Sequence, residues 1–171
     1  MVRLKDIAAR AGVSMMTVSK VLRDAPDISD GTKTRVRAIA REMGYVPDTL
    51  ARSLRTRTTK LFGLVVSSAS NPMAGRNIAA AQERAVELGY DLLLAQTSSD
   101  EAREETALRR MLARRVDGLI VVPVYRFARS AGVYAELKAA RLPVVILGAH
   151  AEFTAGFPNV EPDDRQGALQ A

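Results

Sequence analysis

The 171-residue sequence predicts two parts, an all-α head of three helices and a doubly wound α/β core built on a parallel sheet. Three observations predict this fold class. Two short amphipathic helices separated by a Gly-Val-Ser turn occupy residues 3–22. Residues 1–60 carry a net charge of +7, whereas residues 61–171 carry −1. From Leu61 onward, apolar runs alternate with helical stretches, which is typical of parallel strands covered on both faces.

The first two predicted helices form a helix-turn-helix. Apolar residues recur on one face of the first helix at Leu4, Ile7, Ala8 and Ala11. Gly12 stands where a helix C-terminus takes a left-handed residue, and Ser14 is placed to cap the second helix. Such a unit presents its second helix to the DNA major groove, which admits one α-helix. The basic head and this motif together predict a DNA-binding protein.

The second helix has an inner and an outer face. Its inner face carries Val18, Val21 and Leu22, and its outer face carries Met15, Met16, Thr17, Ser19 and Lys20. Lys20 can donate to guanine O6 or N7, and Thr17 or Ser14 can donate to a phosphate. The thioethers of Met15 and Met16 offer apolar contact, for instance with a thymine methyl group.

A third helix is predicted to begin after Ser29 and to run to about Met43, where Gly44 ends it. Its apolar stripe, which closes a three-helix core, consists of Val36, Ile39, Ala40 and Met43. The opposite face is basic, with Lys33, Arg35, Arg37 and Arg41. These side chains either meet phosphates or form a solvated basic face.

Residues 47–60 are predicted to form a hinge helix and a linker, between the head (1–46) and the α/β core (61–171). Pro47 followed by Asp48 signals a helix start, but residues 48–55 are too few for a helix that is stable alone in water. We therefore expect this segment to be helical only when it is held. Arg55, Arg57 and Lys60 with neighbouring threonines indicate a flexible basic linker.

Several ordered motifs in the first 55 residues resemble the DNA-binding head and hinge of the LacI/GalR family of bacterial transcription repressors. They are Leu4-Lys-Asp-Ile-Ala, Ala11-Gly-Val-Ser, Thr17-Val-Ser, Gly44-Tyr-Val-Pro and Ala51-Arg-Ser-Leu54. The resemblance implies a homodimer on a pseudo-palindromic operator, with recognition helices in the major groove and hinge helices in the minor groove. Unlike the family, this chain has Met15 and Met16 where hydrogen-bonding residues are usual, and Asp48 where Asn is common.

By this resemblance, Tyr45, Ala51, Leu54 and Arg55 join the predicted DNA contacts. Leu54 is expected to insert between base pairs, since an apolar wedge offsets the cost of unstacking by bending DNA onto more protein surface. An alternative remains open. Leu50 and Leu54 lie one helical turn apart and could form an apolar stripe that packs on the neighbouring hinge helix.

The remaining sequence predicts strands at residues 61–66, 91–95, 118–122 and 143–147, and helices at 74–88, 101–114 and 133–141. This part also resembles the family, whose core is similar to periplasmic sugar-binding proteins. The matching motifs are Asn71-Pro, Gly89-Tyr, Arg115-Val-Asp-Gly-Leu-Ile, Asp163 and Gly167-Ala. The resemblance implies that a small effector binds in a cleft between two lobes. Because the sequence ends at Ala171, within the helix expected after a fifth strand, we expect the first lobe only.

Polar and exposed residues after the strands are the candidate effector ligands, since ligands of open α/β sheets lie at the carboxyl ends of the strands. The candidates are Ser70, Asn71, Met73, Thr97, Tyr125 and His150. They could form half a pocket for a sugar or a nucleoside. Met73 and Ala74 stand where the family often has aromatic residues, and His150 could also be a plain exposed loop residue.

Other classes of protein find little support. Without Cys and with one His, the sequence excludes disulfides, thiolate zinc sites and His-rich metal sites. It contains no phosphate-binding loop, dinucleotide fingerprint or nucleophile elbow, so neither catalysis nor a cofactor is expected. No apolar run is long enough for a membrane span, and we expect a cytoplasmic protein. Two alternatives to an effector-controlled repressor remain, a small-molecule binding module and a regulator that binds DNA without effector control.

Overall fold

The computed structural model describes residues 2–47, 53, 56, 58–149 and 151–170. The chain divides into two compact units, Met1–Thr49 and Leu50–Ala171. We call residues 2–47 the head and residues 58–170 the α/β unit. The predicted hinge residues Asp48, Leu50, Ala51, Leu54 and Arg55 lie outside the described residues, as do Arg57 and His150.

The described head consists of three helices, as predicted: α1 (Leu4–Ala11), α2 (Met15–Leu22) and α3 (Asp30–Glu42). All three contribute to one core, whose buried members are Ile7, Ala8, Ala11, Val18, Val21, Val36 and Ala40. Partly buried apolar side chains surround it, including those of Leu22, Ile39 and Met43. The apolar stripes read from the sequence are therefore the faces that pack together.

Capping residues set the ends of the helices in the head. Gly12 takes a left-handed conformation, with φ +63°, and ends α1. The Ser14 hydroxyl accepts a hydrogen bond from the Thr17 amide at 3.0 Å and so caps α2. Gly44, with φ +66°, follows the last turn of α3. A tight turn thus separates α1 from α2, as the helix-turn-helix prediction required.

The α/β unit alternates strands and helices along the chain. Its elements are β1 (Leu61–Val66), α4 (Pro72–Glu87), β2 (Asp91–Gln96), α5 (Glu101–Ala113), β3 (Gly118–Val121), α6 (Gly132–Ala139), β4 (Val144–Leu147), a 3₁₀ turn (Glu152–Thr154), β5 (Asn159–Val160) and α7 (Asp164–Gln170). The five strands of the described residues form one parallel sheet in the order β2-β1-β3-β4-β5. The predicted parallel α/β fold is confirmed.

The three helices predicted in this unit differ from their predicted bounds by one or two residues. Helix α4 begins two residues earlier than predicted, because the Asn71 side chain accepts from the amides of Met73 (2.9 Å) and Ala74 (3.4 Å) and Pro72 suits the first position. Helix α6 ends at Ala139, short of the predicted Arg141. Arg141 takes φ +53°, a left-handed conformation that cannot continue a helix.

The main core of the α/β unit lies between the sheet and helices α5 and α6. Its fully buried members include Val65, Leu108, Val133, Leu137 and Ile146. At Gly63 in β1, a Cβ atom would lie 2.6 Å from Leu119 Cδ1 and 3.0 Å from Met111 Sδ, so a larger residue would displace these core side chains. No helix in the described part of the chain is long and apolar enough to cross a membrane.

Asp117, which precedes β3, anchors the chain segment that enters β1. Its carboxylate accepts hydrogen bonds from the amides of Thr59 (2.9 Å) and Lys60 (3.0 Å) and from the hydroxyls of Thr58 and Thr59. Burial raises the pKa of Asp117, but these hydrogen bonds outweigh it and hold the pKa below its ordinary value. The aspartate of the Arg-Val-Asp-Gly motif thus fixes where the sheet begins.

Candidate functional site

The outer face of α2 is the first candidate site. Met15 and Met16 are 57% and 65% exposed, although the helix that carries them is packed into the head core. The Ser14 and Thr17 hydroxyls lie 2.9 Å apart, and Ser14 also caps the helix. Two thioethers and two hydroxyls therefore stand at the N-terminal turn of α2, the end that contacts base edges in helix-turn-helix proteins.

Lys20 lies on the same face, and its ammonium group is paired with a carboxylate. The Lys20 Nζ donates to Asp27 Oδ2, in the loop between α2 and α3. The hydrogen bond from Lys20 lowers the pKa of Asp27, although burial opposes the shift. Sequence analysis missed this partner, because seven residues separate the pair across a helix end and no periodicity links them.

The basic face of α3 is partly used inside the head. Asp24 binds both Lys33 (3.3 Å) and Arg37 (2.6 Å), and these contacts lower its pKa. Arg35 and Arg41 are exposed and form no ion pair within the described residues. Of the four predicted phosphate contacts on α3, these two are the more available.

The remaining predicted DNA contacts lie at or beyond the end of the head. Tyr45 is half-buried and packs against the head core, so much of its ring serves the fold. Ala51, Leu54 and Arg55 lie outside the described residues. Their predicted contacts stay predictions.

A cavity of about 520 Å³ at the carboxyl ends of the strands is the second candidate site. Asn71 and Met73, two of the predicted effector ligands, line it. The other lining residues are Val66, Ser67, Ala74, Asn77, Val122, Leu147, Gly148, Val160, Glu161 and Pro162. Asn77 was missed, although it lies three and four residues after Ala74 and Met73 and so shares their helix face.

Other predicted effector residues do not line this cavity. Ser70 is exposed beside it, whereas Thr97 is fully buried and its hydroxyl has no hydrogen-bond partner among the described atoms. The Tyr125 hydroxyl donates to the Ala149 carbonyl at 3.1 Å, next to the lining residue Gly148. His150 lies outside the described residues.

A second depression, of about 580 Å³, lies along β2 and α5. It is lined by Arg103, Arg110 and Arg114 together with apolar side chains of β2. Only Gln96 among its lining residues stands at a strand end. We therefore assign the effector prediction to the cavity at the strand ends.

A buried polar network supports the loop after β3, which carries Tyr125. Glu104 is fully buried and accepts hydrogen bonds from the Val124 amide (2.7 Å), the Tyr134 hydroxyl (2.9 Å) and the Arg126 guanidinium. The Arg126 side chain is only 3% exposed and also stacks over Phe153. Burial raises the pKa of Glu104, although its three partners oppose that shift, and burial also raises the pKa of Tyr134. The network therefore fixes the path of the loop that carries Tyr125.

Comparisons with known proteins show the family of the chain. Residues 3–48 match the family described as "Bacterial regulatory proteins, lacI family". Residues 59–171 match "Periplasmic binding proteins and sugar binding domain of LacI family". The chain belongs to the LacI family. The resemblance read from the sequence is thereby confirmed.

Two curated relatives of the chain are repressors. The chain is 35% identical over 122 residues to the HTH-type transcriptional repressor PurR of Photobacterium profundum, covering 71% of this chain and 36% of the relative. It is 34% identical over 122 residues to the ribose operon repressor of Escherichia coli, covering 71% and 37%. The chain thus matches a little over a third of the length of these relatives.

Three solved structures of transcription regulators match nearly the whole chain. The lac repressor dimer bound to operator and the anti-inducer ONPF matches with a TM-score of 0.79 and 27% identity, covering 99% of this chain and 52% of that one. A LacI-family regulator from Silicibacter pomeroyi matches with a TM-score of 0.74 and 31% identity, covering 97% and 49%. A CelR–cellobiose complex matches with a TM-score of 0.53 and 26% identity, covering 100% and 50%.

Proposed function

We propose that this chain is a sequence-specific transcription repressor that binds a pseudo-palindromic operator as a homodimer. Helix α2 enters the major groove, and the segment 48–55 enters the minor groove with Leu54 as the wedge. The observation that carries the proposal is the outer face of α2, where Met15, Met16 and Lys20 project from a helix that is capped and packed. The family to which the chain belongs supports the same function.

Base readout in this proposal depends on few hydrogen bonds. Lys20 donates to guanine, and Met15 and Met16 contact apolar base edges such as the thymine methyl group. Phosphate contacts come from Ser14, Thr17 and the exposed arginines of α3. The bend caused by the wedge supplies further selectivity, because the cost of deforming DNA depends on its sequence.

The α/β unit, in the same proposal, binds a small effector such as a sugar or a nucleoside in the cavity at the strand ends. The amides of Asn71 and Asn77 and the Glu161 carboxylate supply polar groups, and Met73 and Val160 supply apolar surface. The CelR neighbour, solved with cellobiose, supports a sugar. We infer a regulator without catalytic activity that acts in the cytoplasm, where bacterial DNA lies.

The test is a selection of DNA duplexes from a random library with the full chain, followed by measurement of affinity against salt concentration. We expect enriched half-sites related by a two-fold axis and about 10 bp apart, or a multiple of that spacing. The logarithm of the binding constant should fall steeply with the logarithm of salt concentration, by about 0.9 for each phosphate contacted. A slope near zero, or no enriched sequence, would contradict the proposal.

A matched pair of variants locates the contacts. Arg35→Gln removes an exposed charge from the head, and Arg110→Gln removes an exposed charge from α5 in the α/β unit. Neither arginine forms an ion pair within the described residues. Arg35→Gln should weaken binding and reduce the salt slope by about 1, whereas Arg110→Gln should do neither. Equal effects of the two variants would indicate attraction by the net charge alone.

A further inference from the structure

The loop between α2 and α3 places a carboxylate beside the face of α2 that the proposed function directs at DNA. A negative charge at this place opposes binding, because DNA presents a dense row of phosphates. The affinity of the head for DNA therefore does not explain why a carboxylate stands at position 27. Its one ion-pair partner among the described residues is Lys20, the hydrogen-bond donor that the proposed function assigns to a base.

Lys20 and Met16 share one face of α2. They are four residues apart, which is one helical turn, and Met16 is 65% exposed. The Lys20 side chain is 38% exposed, so its stem lies against the head while its ammonium group reaches Asp27. The ion pair thus holds the Lys20 ammonium group next to the exposed face of α2 and restricts its motion.

Asp27 is itself held in place by its neighbours. Ile28 packs against the head core, and the Ala25 amide donates to the Lys20 carbonyl at 3.0 Å, which ties the loop to the end of α2. Asp24, in the same loop, binds Lys33 and Arg37 of α3. The two loop carboxylates therefore have separate ion-pair partners, and the tethered loop limits how far Asp27 can follow Lys20 if the lysine swings away.

An ammonium group carries three N–H donors, so Lys20 can keep its bond to Asp27 and still donate to guanine O6 or N7. Swinging outward to the nearest phosphate would break the ion pair and leave Asp27 facing the DNA backbone. We propose that Asp27 is a positioning residue. It holds the Lys20 ammonium group where it can donate to a base edge, and it keeps this group from binding phosphates. This inference rests on the proposed DNA-binding function.

The decisive variant is Asp27→Asn, assayed in the full chain against two duplexes. One is the duplex that the unmodified chain selects from a random library, and the other is a duplex of the same composition in scrambled order. We expect the variant to bind the scrambled duplex more tightly and the selected duplex less tightly. The ratio of the two affinities should fall roughly fivefold or more, and preference at one base of each half-site should relax.

Asp30→Asn is the matched control. It removes the same charge three residues further along the chain, and the Asp30 side chain forms no ion pair within the described residues. A general charge effect tightens binding to both duplexes alike, and this is what Asp30→Asn should do. Asp27→Glu keeps the charge and should retain the affinity ratio to within about twofold, which also controls for folding.

A double-mutant cycle tests whether Asp27 acts through Lys20. In a Lys20→Ala background, Asp27→Asn should behave like Asp30→Asn and leave the affinity ratio unchanged. The inference is overturned if Asp27→Asn leaves the ratio unchanged in the otherwise unmodified chain, or if the ratio falls equally without Lys20. Failure of the proposed function gives a different result, since the unmodified chain would then enrich no sequence at all.

Discussion

Charged side chains in the head and in the α/β unit differ in how far they are removed from water. In the head, Arg10 and Glu42 form an ion pair while 51% and 62% exposed. In the α/β unit, Glu104 and Arg126 form an ion pair at 0% and 3% exposure. An exposed pair contributes only about 0–1 kcal/mol to stability, whereas removing one partner of a buried pair costs about 3–5 kcal/mol.

The difference indicates what each unit uses charge for. The head is held by apolar residues such as Ile7 and Val36 and by the Ser14 cap, so its surface charges can serve a polyanionic partner. The α/β unit commits the Glu104–Arg126 pair to the loop that carries Tyr125, next to the cavity. Under the proposed function, the exposed charges of the head are available for binding DNA, whereas the buried pair of the α/β unit fixes the path of a loop.

The largest expected effect follows from Arg126→Met, which leaves the Glu104 carboxylate buried without its cation. We expect the free energy of unfolding of the α/β unit to fall by about 3–5 kcal/mol at pH 7. Urea unfolding followed by methyl NMR signals of Val65 and Ile146 reports on this unit alone. The same change at Arg109, which pairs with Glu136 at the surface, should cost less than about 1 kcal/mol.

The deficit caused by Arg126→Met should depend on pH in a defined direction. Burial raises the pKa of Glu104, so stability linked to this group is present at low pH and is lost as pH rises through the raised pKa. Lowering the pH towards 4.5, the ordinary value, protonates Glu104 and removes the unpaired charge. A deficit that stays constant between pH 7 and pH 4.5 would show that lost packing, and not charge, explains the loss.

A smaller effect is expected from Asp117→Asn, at the half-buried carboxylate that anchors the entry to β1. An amide can replace only part of the hydrogen bonding of a carboxylate, so we expect a loss of about 1–2 kcal/mol at pH 7. Because the pKa of Asp117 is lowered, its contribution is present above pH 3.8 and is lost as pH falls through the lowered pKa.

Urea unfolding of this variant and of the unmodified chain at several pH values measures the difference. The advantage of the unmodified chain should disappear in acid. Asp91→Asn, at an exposed carboxylate that starts the neighbouring strand, serves as the control and should cost less than about 0.5 kcal/mol. A difference between Asp117→Asn and the unmodified chain that persists well below pH 3.8 would contradict the role of the charge.

Some of these features could be predicted from the sequence, and others could not. Helix α3 was predicted nearly to its bounds, because Ser29, Gly44 and the apolar stripe are local signals. Asn71 and Met73 were predicted at the cavity because strand ends meet at one edge of a parallel sheet. Local patterns and topology thus sufficed for the elements and for two residues that line the candidate site.

Polar partners far apart in sequence could not be predicted in this way. Glu104 stands in a run of charged residues and reads as solvated, yet it is buried because Arg126 and Tyr134 reach it from other elements. Lys20 was predicted on the correct face, but its partner Asp27 belongs to a loop whose path no periodicity describes. Periodicity shows which face a residue occupies, and it does not show what lies opposite.

The smallest effect on stability is expected in the head, from breaking the Arg10–Glu42 pair from either side. Arg10→Gln and Glu42→Gln should each change the free energy of unfolding of the head by less than about 0.5 kcal/mol, since both side chains are exposed. Methyl NMR signals of Ile7 in urea measure this change. Their effects on DNA binding should have opposite signs, because Arg10→Gln removes a positive charge and Glu42→Gln removes a negative one. If both variants instead destabilise the head by more than about 1 kcal/mol, surface charge in the head also maintains the fold, and the contrast between the two units fails.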